Sequence, residues 1–106
     1  MSYRIVITAQ AEHDLRMIYE YIAFDRSSPE TAQRLIERIK EKILSLDQFP
    51  FRFKRYLSDT WNPEGLRMMP VDRYIVFYHT DKGTGIVTVT NILHSGMDID
   101  RSLFIN

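Results

Sequence analysis

Apolar positions fall into two rhythms along the chain, and the switches between them mark the elements. Tyr3 to Ile7 is rich in β-branched and aromatic residues, which predicts a first strand. Thr8 follows it with a hydroxyl able to accept an orphan N–H from the first turn of a helix. Leu15, Ile18, Tyr19 and Ile22 then recur at i, i+3, i+4 and i+7, one apolar stripe at helical period, with Glu12, Asp14, Arg16 and Glu20 mainly off it. This first helix should end near Phe24. Ser28-Pro29 restarts helix, with a capping hydroxyl and a proline where the missing N–H costs nothing, and Glu30 meets the positive end of the macrodipole. Ala32, Leu35, Ile36, Ile39, Ile43 and Leu46 form the second stripe.

From Phe49 to Glu64 the helical period disappears, and Pro50, Asn62, Pro63 and Gly65 predict a connecting loop rich in aromatics. Strands are expected at Leu66 to Met69, Tyr74 to His79 and Gly85 to Leu93, with Gly83 and Gly85 permitting the last turn. The order is β-α-α-β-β-β. The fold class is therefore α+β, a helical hairpin packed on one face of a mostly antiparallel sheet.

Composition narrows the function. A chain of 106 residues, 44% hydrophobic, suits one compact domain spanning residues 1–106. Its 14 basic residues equal its 14 acidic ones, so no whole-molecule field favours nucleic acid, and any basic site must be local. The absence of cysteine excludes disulfides and thiolate chemistry and is compatible with a reducing compartment. The apolar run at the start is too short for a signal peptide or membrane span, so a cytoplasmic protein without membrane contact is expected.

Candidate chemistry is sparse. His13 lies off the first stripe and His79 at a strand end, both read as surface residues; His94 ends a β-branched strand beside Ser95-Gly96 and is the better candidate. The histidine spacing does not suit zinc, and Ser95, His94 and Asp98 lack the strained turn that a hydrolytic triad needs. No metal or cofactor is therefore expected. Asp98 and Asp100 fit a turn or an outward-facing edge. Arg52, Lys54 and Arg55 alternate with Phe49, Phe51, Phe53 and Tyr56, and no acid occurs between Gln48 and Ser58. The segment could hold phosphates and stack bases; in the plainer reading its rings plug the core edge while the cations reach water. Arg67 and Arg73, flanking the turn before the long strand, could converge on an anion.

Taken together, the opening strand with Ala11, Asp14-Leu15, Ile18 and Tyr21-Ile22, the helix start Ser28-Pro29-Glu30-Thr31-Ala32, and the closing Arg73-Tyr74-Ile75-Val76-Phe77-Tyr78 and Ile92-Leu93-His94 resemble the ParE/RelE superfamily of toxins from type II toxin–antitoxin pairs. The resemblance implies two possible chemistries. RelE-like members are ribosome-dependent mRNA endonucleases whose central-strand lysines and arginines stabilise in-line attack by a 2′-hydroxyl. When the two patterns are aligned on Tyr78, the RelE-like arginine falls on Ile75, the preceding cations near Arg67 and Met69, and a later arginine within Ser95-Gly96-Met97. Most of the nuclease set is missing. ParE-like members resemble the chain better, which implies binding and inhibition of DNA gyrase, no catalytic residue, and Arg67, Arg73, His94, Arg52, Lys54 and Arg55 as target contacts. Direct nucleic-acid binding belongs only to the RNase alternative. A cognate antitoxin with an apolar, acidic tail is implied over the hairpin and sheet, with Tyr19 and Ile36 as contacts. A detoxified relative that only binds its antitoxin is the third alternative.

Overall fold

The computed structural model describes residues 2–56 and 65–104. In chain order the elements are β1 (Arg4–Ile7), α1 (Ala9–Glu20), α2 (Pro29–Leu44), β2 (Arg67–Val71), β3 (Tyr74–Asp81), β4 (Ile86–His94) and α3 (Ile99–Phe104). The sheet order is β1-β4-β3-β2: β1 lies parallel to β4, and the other two pairings are antiparallel. The α1–α2 hairpin covers one face, as the two stripes require. The loop expected over 49–64 is seen to residue 56, and the part at 57–64 falls outside the described residues.

Thr8 does cap α1. Its hydroxyl accepts the Ala11 N–H at 3.1 Å and donates to the Thr90 carbonyl at 3.2 Å, so one side chain ends the strand, starts the helix and ties both to β4. Beyond Glu20 the helix widens into a π-helical turn, Tyr21–Asp25, so helical backbone ends close to Phe24. Ser28 departs from expectation. It precedes Pro29, but its hydroxyl donates back to the Arg26 carbonyl at 3.3 Å and caps no N–H of α2. The backbone of Ser27 at φ +52 turns the chain too sharply for the usual cap geometry.

The core lies between the hairpin and the sheet. Ala11 and Leu15 of α1 and Ile39 and Ile43 of α2 meet Met69, Val76, Val87, Val89 and Ile92 of the sheet, with Leu46 buried in the short 3₁₀ turn after α2. The pairing of β4 with β3 contains an irregularity that explains the burial pattern of β4. Phe77 pairs with Asn91 and Tyr78 with Val89, leaving Thr90 as one extra residue. This bulge shifts the core-facing positions of β4 by one residue, so that Val87 and Val89 are followed by Ile92. The Ile92 N–H beside it is taken by the Asp14 carboxylate at 2.8 Å.

Pairing also defines the sheet's two faces, because directly opposed residues share a face. Val71–Tyr74–His94 and Met69–Val76–Ile92 lie toward the helices, whereas Pro70–Ile75–Leu93 and Met68–Phe77–Asn91 lie on the reverse. Asp98 and Asp100 do not sit in a turn or on a sheet edge. Asp98 starts α3, accepting the Arg101 N–H on Oδ1 at 3.2 Å, and Asp100 lies within that helix. Two short elements meet there, too short for periodicity to reveal.

Candidate functional site

A cleft of about 1070 Å³ opens where the C-terminal half of α1, the start of α2, the β2–β3 turn and the end of β4 come together. Its floor is apolar, formed by Ile18, Ile22, Leu35 and Ile92, and Arg26, Arg34, Arg38 and Arg73 contribute to its walls. Arg38 is committed: its Nη1 contacts both Asp72 carboxylate oxygens, at 2.8 and 2.9 Å, joining α2 to the β2–β3 turn. Asp72 itself adopts φ +55, the left-handed conformation this two-residue hairpin turn needs and one that Asp tolerates.

At the cleft's inner corner Tyr74 and His94 stand opposite one another on β3 and β4, rings edge-to-face with centroids 5.4 Å apart. The Ser95 N–H donates to the Arg73 carbonyl at 2.9 Å, closing the same corner. His94 Nδ1 accepts the Gly96 N–H at 3.0 Å, so the neutral ring carries its proton on Nε2. A Cβ at position 96 would stand 3.2 Å from that Nδ1. The space left by Gly96 is therefore filled by the His94 ring itself. Burial, and then the neighbouring Tyr21 phenol, push the Tyr74 hydroxyl above its ordinary pKa of 10.0, while Arg26 and Arg73 pull the other way. Tyr74 is thus a donor at neutral pH and does not serve as a ready base.

Arg67 and Arg73 do not converge. Arg67 begins β2 and Arg73 sits in the turn beyond its other end, roughly 15 Å away along the strand. Arg67 donates to the carbonyls of Phe51 and Phe53 at 3.2 and 2.7 Å and stands 5.2 Å from the Phe51 ring centre, pinning the aromatic loop. Arg52 is similarly engaged, with the carbonyls of Gln48 and Phe49, the Ser45 hydroxyl and the Phe53 ring. Lys54 and Arg55 are exposed; their backbones pair toward β2 through the Lys54 carbonyl, which accepts the Met68 N–H, and the Arg55–Arg67 bridge. Tyr19 and Ile36 are half-buried and outside the cleft lining, Ile36 packed on the core and Tyr19 edge-on to Phe24 at 6.4 Å. His13 is exposed and bonds Arg16 at 3.3 Å, while His79 is partly buried on β3.

Arg26 and Arg34 were not singled out by sequence, and Tyr21 and Tyr74 entered only as part of the family pattern, not as site residues. Arg26 lies in an irregular turn and Arg34 off the α2 stripe, so neither carries a periodic signal; only the short helix connection hinted that their ends would meet. Asp14 read as a solvated helix residue, because the bulge that creates its partner is invisible in β4 alone.

A two-helix hairpin over this β1-β4-β3-β2 sheet is the architecture of the small toxins of ParE and RelE type. The toxin in the chromosomal ParDE system from P. aeruginosa superposes with a TM-score of 0.68 at 19% identity, covering 88% of this chain and 96% of that one. The RelBE2 toxin–antitoxin complex from Mycobacterium tuberculosis gives 0.67 at 18%, covering 89% and 92%, and a free RelE toxin mutant from E. coli gives 0.62 at 13%, covering 96% and 93%. No curated protein matches the sequence significantly. Residues 5–99 match the family model of the ParE toxin of the type II toxin–antitoxin system parDE. The chain belongs to that family and is the toxin of a type II toxin–antitoxin system.

Proposed function

We propose that this toxin acts by binding and inhibiting DNA gyrase, without bond chemistry of its own, and is neutralised by a cognate antitoxin. The observation that carries the reading is the set of side chains on the central strands. A cleaving relative needs cations on the central strands to stabilise phosphate charge during in-line attack. In the register aligned on Tyr78 those positions are Ile75, on the face turned away from the helices, and Met69, on the face toward them, and both are hydrocarbon. Arg67 lies at the end of β2 and spends its guanidinium on two carbonyls. The family match and the ParDE likeness support the same branch.

The cleft suits the antitoxin. Its apolar floor and arginine walls complement a segment that alternates apolar and acidic side chains, and Met17, Tyr21 and Phe24 at the hairpin tip are exposed. Tyr19 and Ile36 extend this surface over the hairpin. Purified toxin should reduce supercoiling by gyrase; unchanged supercoiling at large molar excess refutes the reading.

One observation favours the RNase alternative: Arg26 and Arg73 act on Tyr74, beside His94, in a single corner. Under that reading primer extension on translated mRNA shows cuts in the ribosomal A site that disappear in Arg73→Ala and His94→Ala. Intact mRNA during growth arrest excludes it.

A further inference from the structure

The cleft leaves the opposite end of the molecule unexplained. There the aromatic loop, the start of β1 and the β3–β4 turn meet. The Phe51 ring holds the corner: Tyr3 packs edge-on at 6.2 Å, Arg67 stands 5.2 Å and Lys82 5.1 Å from its centre. The Tyr78 hydroxyl donates to the Pro50 carbonyl at 2.6 Å and anchors the loop from beneath. These bonds make the loop a fixed platform.

On this platform Phe49 is anomalous. It is 78% exposed, the highest among the described large apolar residues, and it adopts φ +50, a conformation that costs a phenylalanine and that glycine or asparagine would take freely. Packing cannot account for it. Arg52 fixes the conformation by donating to the Phe49 carbonyl at 3.1 Å. Cations follow the ring along the chain: Lys54 and Arg55 are exposed on the same loop, and Lys82 lies over the ring of Phe51, two residues away. The nearby carboxylates are Asp47 and Asp81. Asp81 turns its Oδ1 onto the Gly83 N–H at 2.8 Å, and among the described residues neither acid pairs with these cations.

We propose that Phe49, with Lys54, Arg55 and Lys82, forms a binding surface for single-stranded nucleic acid, on which an unstacked base lies against the Phe49 ring while the cations follow the phosphates. An exposed ring on a rigid, locally cationic platform meets both requirements of single-strand recognition, a π-face for the base and positive charge along the backbone. A protein partner's apolar pocket would accommodate the ring but gives no reason for the surrounding cations. The surface is separate from the cleft, and the proposal does not depend on the gyrase reading. A toxin that leaves supercoiling unchanged can still bind a strand here.

The test is anisotropy titration of the purified toxin against a labelled oligo(dT) of roughly a dozen nucleotides, with poly-glutamate as a base-free polyanion. Phe49→Gly keeps the positive φ and should weaken oligo(dT) binding by about tenfold or more, while Phe49→Trp restores it. Lys54→Ala combined with Arg55→Ala should lower the slope of log K against log salt by about 1.4. Circular dichroism checks that the variants keep the wild-type fold, and Arg34→Ala in the cleft should bind oligo(dT) as the wild type does. Equal affinity for poly-glutamate, full affinity in Phe49→Gly, or no measurable oligo(dT) binding at low salt each overturns the proposal.

Discussion

Tyr78→Phe isolates the buried one among the bonds that fasten the loop to the sheet. Tyr78 is fully buried on β3, and its hydroxyl donates to the carbonyl of buried Pro50 at 2.6 Å. Phenylalanine fills the same space but leaves that carbonyl without this donor, a loss of about 1–3 kcal/mol. For a domain of this size the midpoint of thermal unfolding should fall by about 5–15 °C. Alkaline pH probes the burial of the same hydroxyl. Burial pushes the Tyr78 phenol from 10.0 up to about 12, against the pull of Arg67 and Arg52 and a backbone bond from Phe53. A raised folded-state pKa means the folded protein holds its proton longer than the unfolded chain does. The contribution is therefore complete below pH 10 and is lost as pH rises toward 12, at most about 2.7 kcal/mol. Urea unfolding of both proteins from pH 8 to 12 should show the wild type's advantage over Tyr78→Phe shrinking through that window. A midpoint shift below about 2 °C, or an advantage that does not change with pH, refutes this account.

Asp14→Ala removes the carboxylate that receives the Ile92 N–H beside the bulge, and urea unfolding should show a loss of about 1.5–3 kcal/mol, less for Asp14→Asn, whose amide oxygen still accepts. Thr8→Ala loses the α1 cap and the tie to Thr90, costing about 0.5–2 kcal/mol by the same measurement. Arg38→Ala breaks an ion pair whose side chains are 53% and 44% exposed, so its cost should stay below about 1 kcal/mol and vanish at high salt. Phe49→Gly removes a large side chain yet should leave stability unchanged or raise it by up to about 1 kcal/mol, because it relieves a positive φ; a loss greater than that would show that the ring packs.

The helical hairpin was legible because its signal is dense: two stripes at one period, a capping threonine and a proline at a first turn. The strands were legible as runs, with three starts one residue early and the last three strands ending one or two residues short. What escaped the sequence was pairing. The bulge at Thr90 changes which residues of β4 face the helices, and nothing within β4 announces it. Arg67 and Arg73 looked adjacent because both flank the β2–β3 hairpin, but a strand separates its ends, and only one end reaches the cleft. Arg52 of the loop and Arg67 of β2 read as cations open to a target, but both are engaged with loop carbonyls.

This sheet has two faces and two ends, and its charge is distributed between the ends. Ile75 and Met69, where the RelE-like pattern is expected to carry cations, are hydrocarbon here, so stabilising a phosphate on these strands would require several cations to enter together. One is not enough, because a single arginine at Ile75 would stand between Pro70 and Leu93 with no partner to share a phosphate's charge. The cations this chain does carry on the cleft wall and the loop lie far enough apart to engage different molecules at the same time. An antitoxin seated in the cleft would then leave the Phe49 loop uncovered, and the complex should bind oligo(dT) as tightly as the free toxin does.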